Sequence, residues 1–382
     1  MQQRLTSDDS SGAQVDPRGL PTGRIKVQPE DFVVDELPAY EPSGAGAHVF
    51  VRFTKTDLTT QDAVRALARA LGCDPRAAGF AGMKDKRAVT TQTASFEAPR
   101  GVKAEAIAEQ APSLALPGIV VHQAVPHPHK IKPGHLSGNR FAVVVRGIPV
   151  DRCGEVEAAF ARVGRQGVAN AFGVQRFGIR GDNAARALAW LSGKEPAPRD
   201  PRARRFAWSA LQSAVFNAVL RSREEDGTWA TPVEGDLLKL HGSGGLFVCK
   251  DVQTDRSRAE SGELSPTGPM VGDRMRWPEG ASARLEQEVA ASILGSDFDL
   301  ASTRRLGEGS RRALRLWVSD LRTERVETQA RDVDAGDQAA CLRVYFVLPK
   351  GAYATTVVST VVDVGDGRPS LQAHDEDEVE DV

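Results

Sequence analysis

The chain has 382 residues, 41% of them apolar and 26% charged; that exceeds one small domain, supplies a core and excludes wholesale disorder. Formal net charge is −2, which argues against a uniformly basic histone-like binder, yet six acids crowd the last eight residues and the remainder carries 49 bases against 45 acids. A near-neutral total therefore leaves room for a basic face.

In chain order, residues 1–20 read as a polar, disordered segment with no apolar run of the signal-peptide kind. Ile25 to Glu36 reads as a strand interrupted at Pro29-Glu30-Asp31, with Val27, Phe32, Val33 and Val34 on its apolar side. His48 to Thr54 alternates as a strand buried in part on both faces. The spacing of Ala63, Val64, Leu67, Ala68 and Leu71 predicts a helix over 60–71, with Thr59 or Thr60 as its cap and Gly72 as its terminator. Thr90 to Glu97 and Arg140 to Arg146 read as strands, the second being the clearest in the chain. Near Gly164 a second compositional region begins. It holds a basic, Pro-broken loop over 197–205, a helix over 209–223, a loop-rich stretch over 235–250 and a helix over 283–294. Cys341 to Leu348 returns to strand character. This irregular alternation suits an α+β fold better than a doubly wound sheet.

Cys73, Cys153, Cys249 and Cys341 stand far apart with no Cys-x-x-Cys, which excludes a zinc ribbon, a thioredoxin motif and a disulfide scaffold. No apolar run approaches the ~20 residues of a membrane span, so no membrane partner is expected, and a cytoplasmic location is. His127, His129 and His135 lie close in sequence, but between prolines and out of helical register; they read as surface histidines rather than metal ligands.

The stretch that carries chemistry is GFAGMKDKRAVTTQ, residues 79–92. A single carboxylate, Asp85, sits among Lys84, Lys86 and Arg87 between small and apolar flanks, with glycines at 79 and 82 to allow a sharp turn. An exposed loop in which Asp85 caps the next segment accounts for many such triplets. The alternative is an anion kept ionised by its cations and able to attack an electrophilic carbon, while the same cations attract a polyanionic substrate.

This stretch resembles the signature of the TruD family of tRNA pseudouridine synthases, A-G-x-K-D-x-x-A-x-T-x-Q; Ala81, Gly82, Lys84, Asp85, Ala88, Thr90 and Gln92 match it. Further stretches follow in the family's order: GRIKVQPEDFVVDE (23–36), GNRF (138–141), NAFGVQRFG (170–178) with Asn183, RFAWSALQSAVFNAVL (205–220), Arg311 to Leu316, and PKGAYATTVV (349–358). Together they cover nearly the whole folded chain.

The resemblance implies an α+β, pseudouridine-synthase catalytic domain with a mixed, mostly antiparallel sheet flanked by helices. That domain would be discontinuous, 21–164 and 317–370. A smaller α+β domain would be inserted at 165–316, and an acidic disordered tail would occupy 371–382. It implies isomerisation of uridine 13 of tRNA to pseudouridine by a monomer that needs no cofactor. Asp85 would be the nucleophile, Lys26 its cation and Phe141 the aromatic stacking on the flipped base. Phe32, Lys84, Asn139, Arg87 and Glu36 would complete the substrate site, with Glu36 orienting Lys26 or closing a structural pair. Phosphate contacts would come from Lys84, Lys86, Arg87, Lys130, Lys132, Arg199, Arg202, Arg204 and Arg205, with Arg304, Arg305, Arg311 and Arg312 as further candidates. Arg176 and Asn183 would stabilise the domain junction or touch RNA. The family places a helix at 355–364, where β-branched TTVVSTVVDV favours a strand by propensity alone. A tRNA-binding chaperone on the same fold, or a synthase acting on another RNA site, are the alternatives.

Overall fold

The structure, a computed structural model, describes residues 19–178, 181–327 and 339–364. The disorder expected of 1–20 and of 371–382 falls, apart from residues 19 and 20, outside the described residues. Those described group into two compact units, one drawn from the ranges 1–160, 323–345 and 358–382, the other from 161–322 and 346–357.

The chain runs β1 (Phe32–Pro38), β2 (His48–Thr56), α1 (Thr60–Ala70), β3 (Gly79–Phe80), β4 (Val89–Glu97), α2 (Ala104–Gln110), β5 (Ile119–His127), β6 (Leu136–Pro149) and α3 (Cys153–Gln166). It continues through β7 (Val168–Ala169), α4 (Asn183–Leu191), α5 (Pro201–Glu225), β8 (Leu237–Leu240), β9 (Leu246–Val248), α6 (Val252–Glu260) and β10 (Leu264–Met270). It ends with α7 (Gly280–Leu294), β11 (Ser310–Ala313), β12 (Arg315–Leu316), β13 (Ser319–Val326), β14 (Ala339–Pro349) and α8 (Ala354–Val358).

The larger sheet has the order β13-β14-β6-β1-β4-β2-β5, with β3 paired to β4. Its β1–β4 pair is parallel, whereas β1–β6, β2–β4, β2–β5 and β3–β4 are antiparallel. The expected mixed, mostly antiparallel sheet is therefore present. Its core follows from two periodicities. Every second residue of β2 points to one face, and there Val49, Val51 and Phe53 meet the 3.6-residue stripe Ala63, Val64, Leu67 and Ala68 of α1. Thr59 caps α1 by accepting from the Asp62 N–H at 3.1 Å. Gly72 closes it at φ +68°, a conformation that only glycine adopts without strain.

In the second unit β11-β10-β8-β9 form a small sheet against which the 25-residue α5 packs. Asp200 caps α5 and Pro201 occupies its first turn, so 201–205 are helical, not part of a basic loop as expected. The same cap explains why the helix starts eight residues before the expected 209. The loop-rich reading of 235–250 is also corrected: β8 and β9 pair antiparallel as a hairpin there. Residues 354–358 form a short helix followed by turns, against the strand propensity of the segment. Val27, expected on the apolar side of the first strand, is 40% exposed, because the chain has not yet entered the sheet.

Candidate active site

Asp85 lies in the loop between β3 and β4 with its side chain 46% exposed. Lys26 reaches it from the segment before β1, its ammonium 2.5 Å from Asp85 Oδ1. Lys26 has φ +56°, in the left-handed region that costs a residue bearing a Cβ on the order of 1 kcal/mol or more. Its ammonium also stands 4.2 Å from the centre of the Phe32 ring. An ion pair and a cation–π contact thus hold a strained backbone in place. Arg87 donates to the Val27 carbonyl at 2.6 Å, tying the next residue to the same loop.

Phe32 meets Phe141 edge-to-face, ring centres 6.1 Å apart. On the β1–β6 ladder Val34 faces Phe141 and Glu36 faces Asn139. Alternation then places Phe32, Glu36, Asn139 and Phe141 on one face of the sheet. Arg140 points the other way, 3.6 Å from Asp35. A cavity of about 360 Å³ lined by Asp35, Tyr40, Arg52, Gln123, His135 and Arg140 is not lined by Asp85.

The nucleophile candidate's loop is anchored from beneath. The Lys84 N–H donates to Thr60 Oγ1 at 2.9 Å, and the Lys84 ammonium lies 2.6 Å from Glu36 Oε2. That pair is only 6% and 3% exposed. The other Glu36 oxygen accepts from the Thr93 N–H at 3.2 Å. Of the two expectations for Glu36 the structural pair is the one present, with Lys84 and not Lys26 as its partner; and Lys84, enclosed and neutralised, is out of reach of an RNA phosphate, which corrects its reading as a phosphate contact. Gly79 and Gly82 do not make a left-handed turn. Gly79 serves instead for close approach, since a Cβ there would stand 2.3 Å from the Ile131 carbonyl oxygen.

Lys55 on β2 was not singled out by the sequence. It is fully buried, and its ammonium donates to the backbone carbonyl of Asp85 at 2.7 Å and to that of Leu58 at 2.6 Å. Burial brings its pKa down to about 8, against the opposing pull of Asp85 and with a further push from Lys84. Thr90 Oγ1, Gln92 Nε2 and Asn139 Oδ1 are buried without a protein partner. Buried polar atoms are almost always bonded, and these three lie on the Phe141 face, since Thr90 is level with Val34 and Gln92 with Phe53.

Comparison with known proteins bears on this geometry. The family model described as tRNA pseudouridine synthase D (TruD) matches residues 18–191 and 200–361. A tRNA pseudouridine synthase D of Anaeromyxobacter sp. (strain Fw109-5) is 43% identical over 351 residues, 90% of this chain and 93% of that protein. The chain belongs to the TruD family. Another TruD relative, from Geobacter metallireducens, is 36% identical and covers 91% of this chain and 97% of its own. The crystal structure of a putative tRNA pseudouridine synthase D from Methanosarcina mazei shares the fold, with a TM-score of 0.72 at 23% identity over 90% of this chain and 94% of that one.

Elsewhere in this TruD chain the basic candidates separate by environment. Arg311 is buried in an ion pair with Glu286 at 2.6 Å, which corrects its reading as a phosphate ligand. Arg304 is paired with Asp273 at 2.6 Å. Of the histidines, His127 is no surface residue. It is buried beside Phe50, ring centres 4.3 Å apart, and burial lowers its pKa, helped by His129 and His48. Among the described residues no cluster of His, Cys, Asp and Glu could hold a metal, and no helix is long and apolar enough to cross a membrane.

Proposed function

We propose that this TruD-family protein isomerises uridine 13 of tRNA to pseudouridine, with Asp85 as the covalent nucleophile. What carries this reading is the state of Asp85: a half-exposed carboxylate, fixed by Lys26, on a loop held from beneath by Lys55 and Lys84. That loop borders the sheet face bearing Phe32, Phe141 and Asn139. The relatives, named as tRNA pseudouridine synthases D, supply the substrate class.

The target base must leave its stack to reach Asp85, at a cost of a few kcal/mol. Aromatic surface offsets part of that cost, a role for Phe141 backed edge-on by Phe32. The unpaired Asn139 Oδ1 can accept an N–H of the uracil. An Asp85 oxygen then attacks the ribose C1′ or the base C6. By either route the N1–C1′ bond breaks, the uracil turns, and a C5–C1′ bond forms. C5 loses its proton, N1 gains one, and Asp85 is released. Atoms are conserved and nothing is oxidised, so the reaction calls for no cofactor.

In this reading the discontinuous catalytic domain is 21–164 and 317–370, the insertion 165–316, and the enzyme is a cytoplasmic monomer. Nucleotide-resolved mapping of pseudouridine on unmodified tRNA transcripts tests it. Product at position 13 and nowhere else is expected; product at another position would retire the site assignment, and none on any transcript would retire the activity.

A further inference from the structure

Arg176 and Arg312 both pack on the ring of Phe172 in the second unit. The Arg312 guanidinium carbon is 4.1 Å from the centre of Phe172 and that of Arg176 is 5.5 Å from it. Neither has a carboxylate within ion-pair distance among the described residues. Arg176 donates to the hydroxyls of Ser209 and Ser213 on α5. Arg312 donates to Asn170 Oδ1 at 2.6 Å and weakly to the Asn170 carbonyl. All these acceptors are neutral.

This arrangement departs from how the same unit treats its structural arginines. Arg223 is paired with Asp236 at 2.8 Å and Arg311 with Glu286 at 2.6 Å, each fully enclosed. Arg315 lacks a carboxylate too, but it stands alone on Trp317 and is 5% exposed. Arg176 and Arg312 combine like charge, neutral partners and partial exposure. Burial and the neighbouring Arg176 charge lower the Arg312 pKa to about 10, and only Tyr353 opposes them. The Arg176 charge bears on the buried Arg312 guanidinium, and an anion held by both would remove that repulsion.

The scaffold is rigid where the anion would sit. Asn170 is clamped by its N–H to the Leu314 carbonyl and by its Nδ2 to that of Ala313, both at 2.8 Å. The Asn217 amide holds the backbone N–H and carbonyl of Phe172, each at 2.9 Å. Each guanidinium uses Nε and Nη2 on these neutral acceptors, which leaves Nη1 to donate to a phosphate oxygen.

We propose that Arg176 and Arg312 form a built phosphate site that takes one phosphodiester of the RNA backbone. The proposal rests on the reading of this protein as a tRNA-acting enzyme and adds a specific contact to it. Such a contact positions the RNA and reads no sequence.

The test is the salt dependence of binding an unmodified tRNA transcript to the full chain. Wild type, Arg312→Gln, Arg312→Lys and Arg176→Gln would be titrated between about 50 and 200 mM KCl. Pseudouridine formation by the wild type and the melting temperature of every variant would be recorded alongside. Loss of one phosphate contact lowers the slope of log Kd against log salt by about 1 and weakens binding several-fold at low salt; that is expected of each Gln variant, while Arg312→Lys keeps the wild-type slope. If Arg312→Gln does not fold, Arg176→Gln, which leaves the Asn170 clamp in place, carries the same expectation. An unchanged slope in a folded Gln variant overturns the site. So does a melting shift in millimolar inorganic phosphate, lost in the variant, with no change in RNA slope; that result assigns the site to free phosphate. A wild type that makes no product, with the slope still falling in the variants, retires the isomerase reading and keeps the site.

Discussion

A lysine held at φ +56° with its ammonium between a carboxylate and an aromatic ring is an investment in position rather than stability. A solvent-accessible ion pair of this kind contributes at most about 1 kcal/mol. Lys26→Met should leave the unfolding midpoint almost unchanged yet lower product formation by about a hundredfold, the scale set by a misplaced reacting group. Steady-state rates and denaturant curves on one preparation check this, and an equal loss in both would contradict it. The buried pair beneath behaves in the opposite way. Glu36→Gln strands the enclosed Lys84 ammonium and should cost about 3–5 kcal/mol, and adding Lys84→Met should recover most of that. A Glu36→Gln protein as stable as wild type would show that the pair does not support the loop. The residue scale also shows what sequence can and cannot disclose. Asp85, Lys26, Phe32 and Phe141 were legible as a set because motifs carry them, and the structure brings them together. Lys55 was not: in HVFVRFTKT it is one more polar residue of an alternating strand. Its burial depends on carbonyls that only the folded loop presents.

At the scale of elements, β2 binds the core to the site, since Val49, Val51 and Phe53 pack under α1 while Lys55 on the same face holds the Asp85 carbonyl. The pKa of Lys55 in the folded chain, about 8, lies below its ordinary value of 10.5. Between those two values the unfolded chain binds more protons, so this group makes stability rise with pH across the window; the contribution is complete above 10.5 and is lost as pH falls through about 8. Lys55→Met should therefore flatten the stability profile over that window, which urea unfolding at stepped pH reads directly; an unchanged slope would contradict the burial argument. Thr59→Ala removes the α1 cap and should cost about 1 kcal/mol. The 60–71 helix was legible from its stripe and its two ends. The strand β5 was not, because Gln123 and Pro126 interrupt its apolar residues and its edge position shows only in the β2 pairing. The start of α5 was hidden by reading Pro201 as a breaker when it stands in the first turn.

Over the whole molecule, the order of motifs identified the family before any coordinates, and the TruD match over 18–191 and 200–361 establishes it. The compact units divide at 160/161 and 322/323, and 346–357 joins the second, whereas composition suggested a break near 164 and the family resemblance one near 316. No change of composition marks 346–357, whose first residues continue the apolar run of β14. The proposed chemistry depends on the carboxylate at 85. Its most direct test compares wild type with Asp85→Asn, a change that keeps shape and removes the nucleophile, for transcript binding and for pseudouridine formation in one assay. The predicted result is a variant that binds tRNA with wild-type affinity and forms no pseudouridine above background; pseudouridine made by that variant at the wild-type rate would contradict it.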